Sequence, residues 1–273
     1  QRVRVAGSFW DREASGVAES AAGVGLTTAQ MRDAETFRAA RWDLAGVRSD
    51  GTADLWRLDS EDGYPRLVVF GDANDLHTLE GAGTSYEPYE ISTAEDLGAV
   101  RRYSRYAWYK LTTDIDLADI TWTESPIPVL RGYFNGNGHR ILNLTIEGGA
   151  AWDVGLFGRI KGGAWVYDLG LEGVSVSTDR AIASVGGLAG TSAGNVVGCY
   201  VTGTVEAGDG SLAVGGVVGS NRQGVIADSY TTATVLAPDG ETRTGGLVGF
   251  NFAGAVSGCY AAGVVARSEE RRV

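Results

Sequence analysis

Val214-Gly215-Gly216-Val217-Val218-Gly219 is the stretch that decides the fold, because it occurs three times in closely related forms. Its other copies are Val185-Gly186-Gly187-Leu188-Ala189-Gly190 and Thr244-Gly245-Gly246-Leu247-Val248-Gly249. The copies begin at positions 185, 214 and 244, so their spacings are 29 (214 − 185) and 30 (244 − 214). Such a period is typical of a solenoid, in which each repeat buries its apolar face against its neighbours. Val185, Leu188, Val214, Val217, Leu247 and Val248 are the residues predicted to point inward.

A small residue and a tyrosine follow each copy, as Cys199-Tyr200, Ser229-Tyr230 and Cys259-Tyr260. The tyrosines recur at an equal spacing, from 200 to 230 and from 230 to 260. We therefore expect their rings to stack in register along the solenoid, an arrangement that is usually structural. Tyrosines that face outward would instead be able to bind sugar rings.

The two cysteines, at positions 199 and 259, are separated by exactly twice the spacing of the tyrosines, which corresponds to two repeats. If each repeat forms one turn, Cys199 and Cys259 have Cα atoms roughly 9–10 Å apart. A disulfide requires Cα atoms within about 7 Å. The spacing therefore predicts two free thiols in equivalent inward positions, with Ser229 between them.

The composition narrows the class of protein. The chain has 273 residues, of which 44% are hydrophobic and 41 are glycine, and its net charge is −11. An acidic chain is a poor partner for nucleic acid, which requires a basic surface. No apolar run approaches the ~20 residues that span a bilayer.

Two helix starts interrupt a chain that otherwise consists of short strands and turns. The first is Thr27-Thr28-Ala29-Gln30, with Gln30 at the position of a capping box. The second pairs Ser92 with Glu95 as a capping box and extends to about Tyr103. From Tyr106 onward the sequence predicts strands separated by glycine or aspartate turns. Asn221 and Asn251 align between repeats and are interpreted as turn residues.

The repeats, each followed by Gly-Cys-Tyr or Asp-Ser-Tyr, resemble the GLUG motif of bacterial and archaeal surface proteins. Residues 88–97, 111–117 and 133–146 are similar to segments that open such modules. Residues 8–11 through 64–67 look like the closing part of a module. The resemblance covers nearly the whole chain and carries no known catalytic residues to it.

This resemblance implies an all-β, right-handed parallel β-helix with about 30-residue repeats and one or two short helices. It implies a closing block at 1–75 and an opening segment plus repeats at 76–273, with repeats near 154–184, 185–213, 214–243 and 244–266. Because the closing block comes first, the chain is expected to straddle two tandem modules or to complete a neighbouring copy. Both ends are expected to be cut from a larger protein.

Three aspartates have the spacing of calcium ligands. Asp114, Asp116 and Asp119 offer the hard oxygen atoms that Ca²⁺ prefers. They lack the glycine and distal glutamate of a twelve-residue calcium loop, so a solvated or capping role is the alternative. No other cofactor is predicted. Asn143 begins an N-glycosylation sequon, Asn143-Leu144-Thr145, although it could instead point inward and form a ladder with backbone groups.

The turn Asn135-Gly136-Asn137-Gly138-His139 resembles turns in β-helical polysaccharide lyases and hydrolases. A catalytic interpretation requires convergent acid and base groups near His139, and no such pair stands out. The structural alternative places Asn135 and Asn137 in left-handed turn conformations. Exposed aromatic residues on one face would indicate glycan binding, for which the candidates are Trp108, Tyr109, Trp122 and Trp152.

The leading functional prediction is a non-enzymatic, extracellular or cell-surface β-solenoid with a structural or adhesive role. The order of its blocks predicts partners of the same kind, which are other copies joined head to tail or adjacent tandem modules. A glycan-binding module is the first alternative. A carbohydrate-active β-helix enzyme is the second.

Overall fold

The computed structural model describes residues 7–20, 22–40, 42, 44, 56–58, 63–67, 77–103, 106–149, 151–179, 181, 183–238 and 242–267. The chain divides into two compact units, Gln1–His77 and Thr78–Val273. We call them the N-terminal unit and the solenoid unit.

The N-terminal unit is built around a small apolar core of Leu26, Met31, Phe37 and Leu44. At the first predicted helix start, the Thr27 N–H donates to Gln30 Oε1 and the Gln30 N–H donates to Thr27 Oγ1. This reciprocal cap is followed by a 3-10 helix and not by an α-helix. The α-helix begins after it and has its own cap at Asp33. The elements are β1 (Phe9–Asp11), α1 (Arg12–Ser15), β2 (Val24–Leu26), a 3-10 helix (Gln30–Arg32), α2 (Ala34–Ala39), β3 (Trp56–Leu58) and β4 (Pro65–Leu67).

Among its described residues, the solenoid unit has one α-helix and many short strands. Its elements are β5 (Tyr89–Ile91), α3 (Ala94–Ala99), a 3-10 helix (Val100–Arg102), β6 (Trp108–Leu111), β7 (Ile115–Asp116), β8 (Thr121–Trp122), β9 (Ile127–Leu130), β10 (Tyr133–Asn135), β11 (Arg140–Leu142), β12 (Thr145–Gly148), β13 (Asp153–Val154), β14 (Phe157–Ile160), β15 (Trp165–Tyr167), β16 (Gly170–Thr178), β17 (Ser184–Gly186), β18 (Ala189–Ser192), β19 (Asn195–Val197), β20 (Tyr200–Ala207), β21 (Ala213–Gly215), β22 (Val218–Arg222), β23 (Val225–Ala227), β24 (Tyr230–Thr231), β25 (Thr234–Ala237), β26 (Arg243–Gly245), β27 (Val248–Phe252), β28 (Ala255–Ser257), β29 (Tyr260–Ala261) and β30 (Val265–Arg267).

These strands form four parallel sheets that run along the solenoid. Each complete turn passes in order through a four-stranded sheet (β13-β17-β21-β26), a five-stranded sheet (β9-β14-β18-β22-β27), a seven-stranded sheet (β5-β6-β10-β15-β19-β23-β28) and a ten-stranded sheet. Equivalent residues of successive turns are paired, as in Val154, Val185, Val214 and Thr244. The predicted parallel β-solenoid, in which one sequence repeat forms one turn, is confirmed.

The repeated apolar residues fill the interior of the solenoid. Val185, Leu188, Val214 and Val217 are fully buried, as predicted. The glycines of the repeat allow the backbone of adjacent turns to approach closely. A Cβ atom on Gly215 would lie 2.3 Å from the Val218 carbonyl oxygen and 2.7 Å from the Gly249 nitrogen. The repeated glycines are Gly186, Gly187, Gly215, Gly216, Gly245 and Gly246.

The last copy of the repeat is less buried than the others. Leu247 and Val248 pack against the core, as predicted, but they are only partly buried. They belong to the final turn of the described solenoid, which has a neighbouring turn on one side only. Burial of the repeated apolar positions therefore depends on a further turn.

The capping box of α3 lies one residue later than predicted. It is formed by Thr93 and Asp96, not by Ser92 and Glu95. The buried Asp96 carboxylate accepts from the Ser92 N–H, the Ser92 hydroxyl and the Thr93 N–H, so Ser92 serves as a donor to this carboxylate. Among the described residues, no helix has the length and apolar character to cross a bilayer.

The interpretation of Asn221 and Asn251 as turn residues was wrong. Both lie within strands, β22 and β27, and Asn221 is fully buried. The Asn221 Nδ2 donates to Asn251 Oδ1 at 2.9 Å and to the Gly224 carbonyl at 3.2 Å. The Asn221 Nδ2 donors are thus satisfied inside the solenoid, whereas the buried Asn221 Oδ1 has no hydrogen-bond partner among the described residues.

Candidate binding groove and aromatic ladders

A ladder of three tyrosines lies on the outer surface of the ten-stranded sheet. The Tyr200 and Tyr230 ring centroids are 5.1 Å apart, and those of Tyr230 and Tyr260 are 5.0 Å apart, with nearly parallel planes. The predicted in-register stacking is confirmed. Gly170 occupies the same column one turn earlier, where a Cβ atom would lie 2.5 Å from the Tyr200 ring. The ring faces that stack on a neighbouring tyrosine are covered by it. At these stacked contacts only the ring edges are exposed to solvent.

Tyr200, at one end of the ladder, has its hydroxyl group next to the carboxylate of Glu172. It donates to Glu172 Oε1 at 2.6 Å. Burial of the ring, followed by this contact with a carboxylate, raises the pKa of Tyr200. Tyr260, at the other end of the ladder, is 57% exposed.

A second aromatic column lies on the seven-stranded sheet. Trp108 and Tyr133 stack with centroids 3.7 Å apart, and Trp165 follows them in register with an exposed ring. Two of the four predicted glycan-binding aromatics cannot contact a ligand. Tyr109 and Trp122 are each only 2% exposed, because alternate residues of β6 and β8 point into the core.

Arg140 holds two carboxylates together on the outer surface of the ten-stranded sheet. Its guanidinium group donates to Asp114 Oδ2 at 2.7 Å and contacts Glu172 Oε2 at 3.3 Å. His139 Nδ1 lies 3.3 Å from Asp114 Oδ1. The backbone N–H and then the side chain of Arg140 lower the pKa of Asp114. A general acid needs a raised pKa, so Asp114 is poorly suited to donate a proton.

The predicted calcium ligands do not converge. Asp116 Oδ1 accepts from Asn143 Nδ2 at 2.8 Å and from the Ala118 N–H at 2.9 Å, and these hydrogen bonds lower its pKa. Asp119 is an exposed residue with a φ of 68°. Within the described ranges, no group of three His, Cys, Asp or Glu side chains is placed to hold a metal ion.

Three asparagines had predicted conformations or orientations in the turns, and the structure places each of them. Asn143 is exposed and has a φ of 58°, so its side chain does not point inward as one alternative held. Asn137 has the predicted left-handed conformation, with a φ of 54°, and its Nδ2 donates to the Leu111 carbonyl of the neighbouring turn. The same prediction was wrong for Asn135, which lies in strand β10 and whose Oδ1 accepts from the Asn137 N–H.

Both cysteines are free thiols. Cys199 is buried inside the solenoid, and this burial raises the pKa of its thiol to about 12. The Cys199 N–H donates to Ser229 Oγ, and the Ser229 N–H donates to Cys259 Sγ, so the three small residues form one column. A thiol with such a pKa is unreactive at neutral pH.

A groove with a volume of about 430 Å³ crosses three turns where the four-stranded and five-stranded sheets meet. Trp152 and Leu212 line one side, and Lys161 and Arg222 line the other. Between them the floor includes Asp153, Arg159, Ser184, Thr191 and Ala193. Only Trp152 among these residues was a candidate from the sequence.

Aligning the repeats provides the signal that could have revealed this groove. Lys161, Ala193 and Arg222 each lie three positions after the last glycine of a repeat. Trp152, Ala183 and Leu212 each lie two positions before its first valine. At both positions a small residue separates two large ones, and this size pattern predicts a hollow.

Among curated proteins, the chain is similar to halomucin of Haloquadratum walsbyi. The two are 33% identical over 189 residues, covering 63% of this chain and 2% of halomucin. The chain is also 34% identical over 133 residues to a provisionally named Gly-rich membrane protein of Evansella cellulosilytica, covering 45% of this chain and 15% of that protein. The chain thus spans a small part of the curated relatives it matches.

No protein-family model matches the chain, so membership of the GLUG family stays a prediction. Among solved structures, the chain is similar to a provisionally named immunoglobulin A1 protease from Bacteroides ovatus. The two share 18% sequence identity and have a TM-score of 0.45, over 69% of this chain and 80% of that one. A likeness at this level carries no conclusion about activity.

Proposed function

We propose that the chain is a non-enzymatic structural or adhesive β-solenoid of the cell surface, whose modules join end to end. The last turn, residues 243–267, carries this proposal. Its inward-facing Val256 and Val265 are 41% and 44% exposed, whereas their partners one turn earlier, Ile226 and Val235, are fully buried. Among the described residues, the last turn therefore presents an apolar surface and unpaired strand edges that a further turn would cover.

The other end of the solenoid unit, in contrast, is covered by the helix α3. Leu97 and Ala99 of α3 are fully buried in the solenoid core, next to the terminal strand β5. Joining two open ends would give a closed dimer, whereas joining unlike ends gives a fibre. We favour unlike ends, because the N-terminal unit has its own parallel pair, β1 and β2, that could receive the open turn.

The relatives support the proposed location. One carries the name halomucin, and the other is named as a Gly-rich membrane protein. Both are many times longer than the matched segment, as expected for proteins assembled from repeated modules. The proposal is consistent with the cluster around Arg140, whose guanidinium group holds the carboxylates of Asp114 and Glu172.

Sedimentation velocity over a range of protein concentrations tests the join. The wild-type chain should form species larger than dimers as its concentration rises, and electron microscopy should show linear particles. Val256→Asp and Val265→Asp should abolish this association, because each places a charge on the open apolar surface. Val225→Asp is the matched control, since Val225 is 36% exposed on the outer face of β23, a strand that is paired on both sides. A strictly monomeric or dimeric wild type would overturn the end-to-end join.

A further inference from the structure

The groove owes its shape to small residues in its middle turn. Asp153, Ser184 and Ala213 are paired in register, and the residues before them are Trp152, Ala183 and Leu212. On the opposite side, Lys161, Ala193 and Arg222 follow the paired residues Ile160, Ser192 and Asn221. The middle turn thus has alanines where the turns on either side have large side chains. Ala193 lines the groove and Ala183 is fully buried, so a hollow remains between the turns.

The charge of this groove is opposite to that of the protein. Asp153, the only acidic side chain among the described residues that line it, forms an ion pair with Arg159 and accepts a hydrogen bond from the Thr191 hydroxyl. Within the part of the chain that the structure describes, neither Lys161 nor Arg222 forms a salt bridge. The groove therefore holds two uncompensated positive charges in a chain whose net charge is −11.

The position of the two cations indicates an extended ligand. Lys161 and Arg222 are two turns apart in one column, which corresponds to roughly 9.6 Å along the solenoid. Two cations whose backbone positions are that far apart can each pair with a separate anionic group. A polymer with repeated anionic groups provides both partners along one chain.

The exposed tryptophan and the pairing of the strands favour a polysaccharide over a peptide as the polymer. Trp152 is 55% exposed at the rim of the groove, and a half-exposed indole provides an apolar face for a sugar ring. The strands below it, β14, β17 and β18, are paired on both sides. Among the described strands of the groove, only β13 has an unpaired edge, and Ser125 already donates to the carbonyl of its residue Asp153. A peptide therefore finds little free main chain here to pair with.

We propose that this groove binds an acidic polysaccharide, with Trp152 against a sugar ring and Lys161 and Arg222 paired with carboxylates of the polymer. The site lies on inner turns of the solenoid, away from the last turn proposed to join modules. Loss of either property would leave the other intact, so the two proposals fail separately.

Isothermal titration of the full chain with polygalacturonate, dextran and poly-L-glutamate tests the proposal. Polygalacturonate should bind, with an affinity that falls as salt is added, and neutral dextran should not. Poly-L-glutamate should bind more weakly, because it lacks the ring that Trp152 contacts. Equal affinity for poly-L-glutamate would mean that the groove is a general anion or acidic-peptide site, and would overturn the assignment.

Variants locate the site. The double variant Lys161→Gln/Arg222→Gln should weaken polygalacturonate binding at least about tenfold, since two charged hydrogen-bond donors are lost. Trp152→Ala should weaken it about fivefold. Ala193→Glu fills the hollow with a carboxylate and should also block binding.

The controls use the same residue types elsewhere. Lys110 is the only other lysine, and Trp165 is an exposed tryptophan on the seven-stranded sheet. Lys110→Gln and Trp165→Ala should keep wild-type affinity. If the groove variants fold, as shown by circular dichroism, and bind like the wild type, the groove is not the site.

Discussion

Asp11 of the N-terminal unit is a single carboxylate with several structural tasks. Its Oδ2 accepts from the Tyr64 hydroxyl at 2.5 Å, and its Oδ1 accepts from the Glu13 and Ala14 N–H groups at the start of α1. The Tyr64 hydrogen bond is the main cause that lowers the pKa of Asp11 to about 2. Because the folded pKa is lowered, the carboxylate stabilises the fold above its ordinary pKa of 3.8. This stabilisation is lost as the pH falls toward the folded value.

We expect an NMR titration of the Asp11 carboxyl carbon to show a midpoint near 2 in the wild type. Tyr64→Phe removes the strongest donor, so the midpoint should rise toward the ordinary value. Tyr86→Phe is the matched control, because Tyr86 is almost fully exposed. A wild-type midpoint near 3.8 would show that the Tyr64 contact does not hold the ionised form.

The tyrosine ladder allows a test at the level of a structural element. Tyr230 stacks on two rings, whereas Tyr260 stacks on one. Each aromatic pair contributes about 0.5–1.5 kcal/mol beyond simple burial. Tyr230→Ala should therefore lower the free energy of unfolding by about 1–3 kcal/mol, and Tyr260→Ala by about half as much.

Chemical denaturation followed by near-ultraviolet circular dichroism measures this difference. Tyr230→Phe keeps the stacked ring and should stay close to the wild type. Equal losses for Tyr230→Ala and Tyr260→Ala would indicate that ring stacking does not determine the contribution of the column.

Elements with a strict period were predictable from the sequence, and elements without one were not. The repeated valines, glycines and tyrosines determine the turns, because each has the same neighbour one turn away. The start of α3 was misplaced by one residue, since Ser92 and Thr93 can both cap a helix and only the burial of Asp96 decides between them. Asn221 was misassigned because an asparagine near glycine also suits a turn.

At the level of the whole molecule, the groove depends on positions where the repeats differ. Trp152, Lys161 and Arg222 are not part of the consensus that reveals the solenoid, and they lie in three different stretches of the chain. Three-dimensional register brings them together. A repeat pattern therefore predicts the scaffold well, whereas a binding site on it arises from departures from that pattern.

The last turn differs from the earlier turns in the hydrogen bonds of individual backbone N–H groups. The Gly198 and Asp228 N–H groups donate forward to carbonyls of the next turn, at Ala227 and Ser257. Gly258 is the equivalent residue of the last turn, and no carbonyl of the described residues accepts its N–H. The nearby Tyr260 N–H donates backward, to the Ser229 carbonyl at 3.2 Å.

Hydrogen exchange should therefore be fast at Gly258 and slow at Tyr260 in dilute protein. If modules join at this turn, a new carbonyl covers the Gly258 N–H, and its exchange should slow as the protein concentration rises. The Tyr260 amide is the internal reference, because fraying of the whole turn would accelerate both. Val256→Asp should remove the concentration dependence at Gly258, and Val225→Asp should leave it unchanged. Exchange at Gly258 that is slow in dilute protein, or fast at every concentration, would contradict an open turn that joins modules.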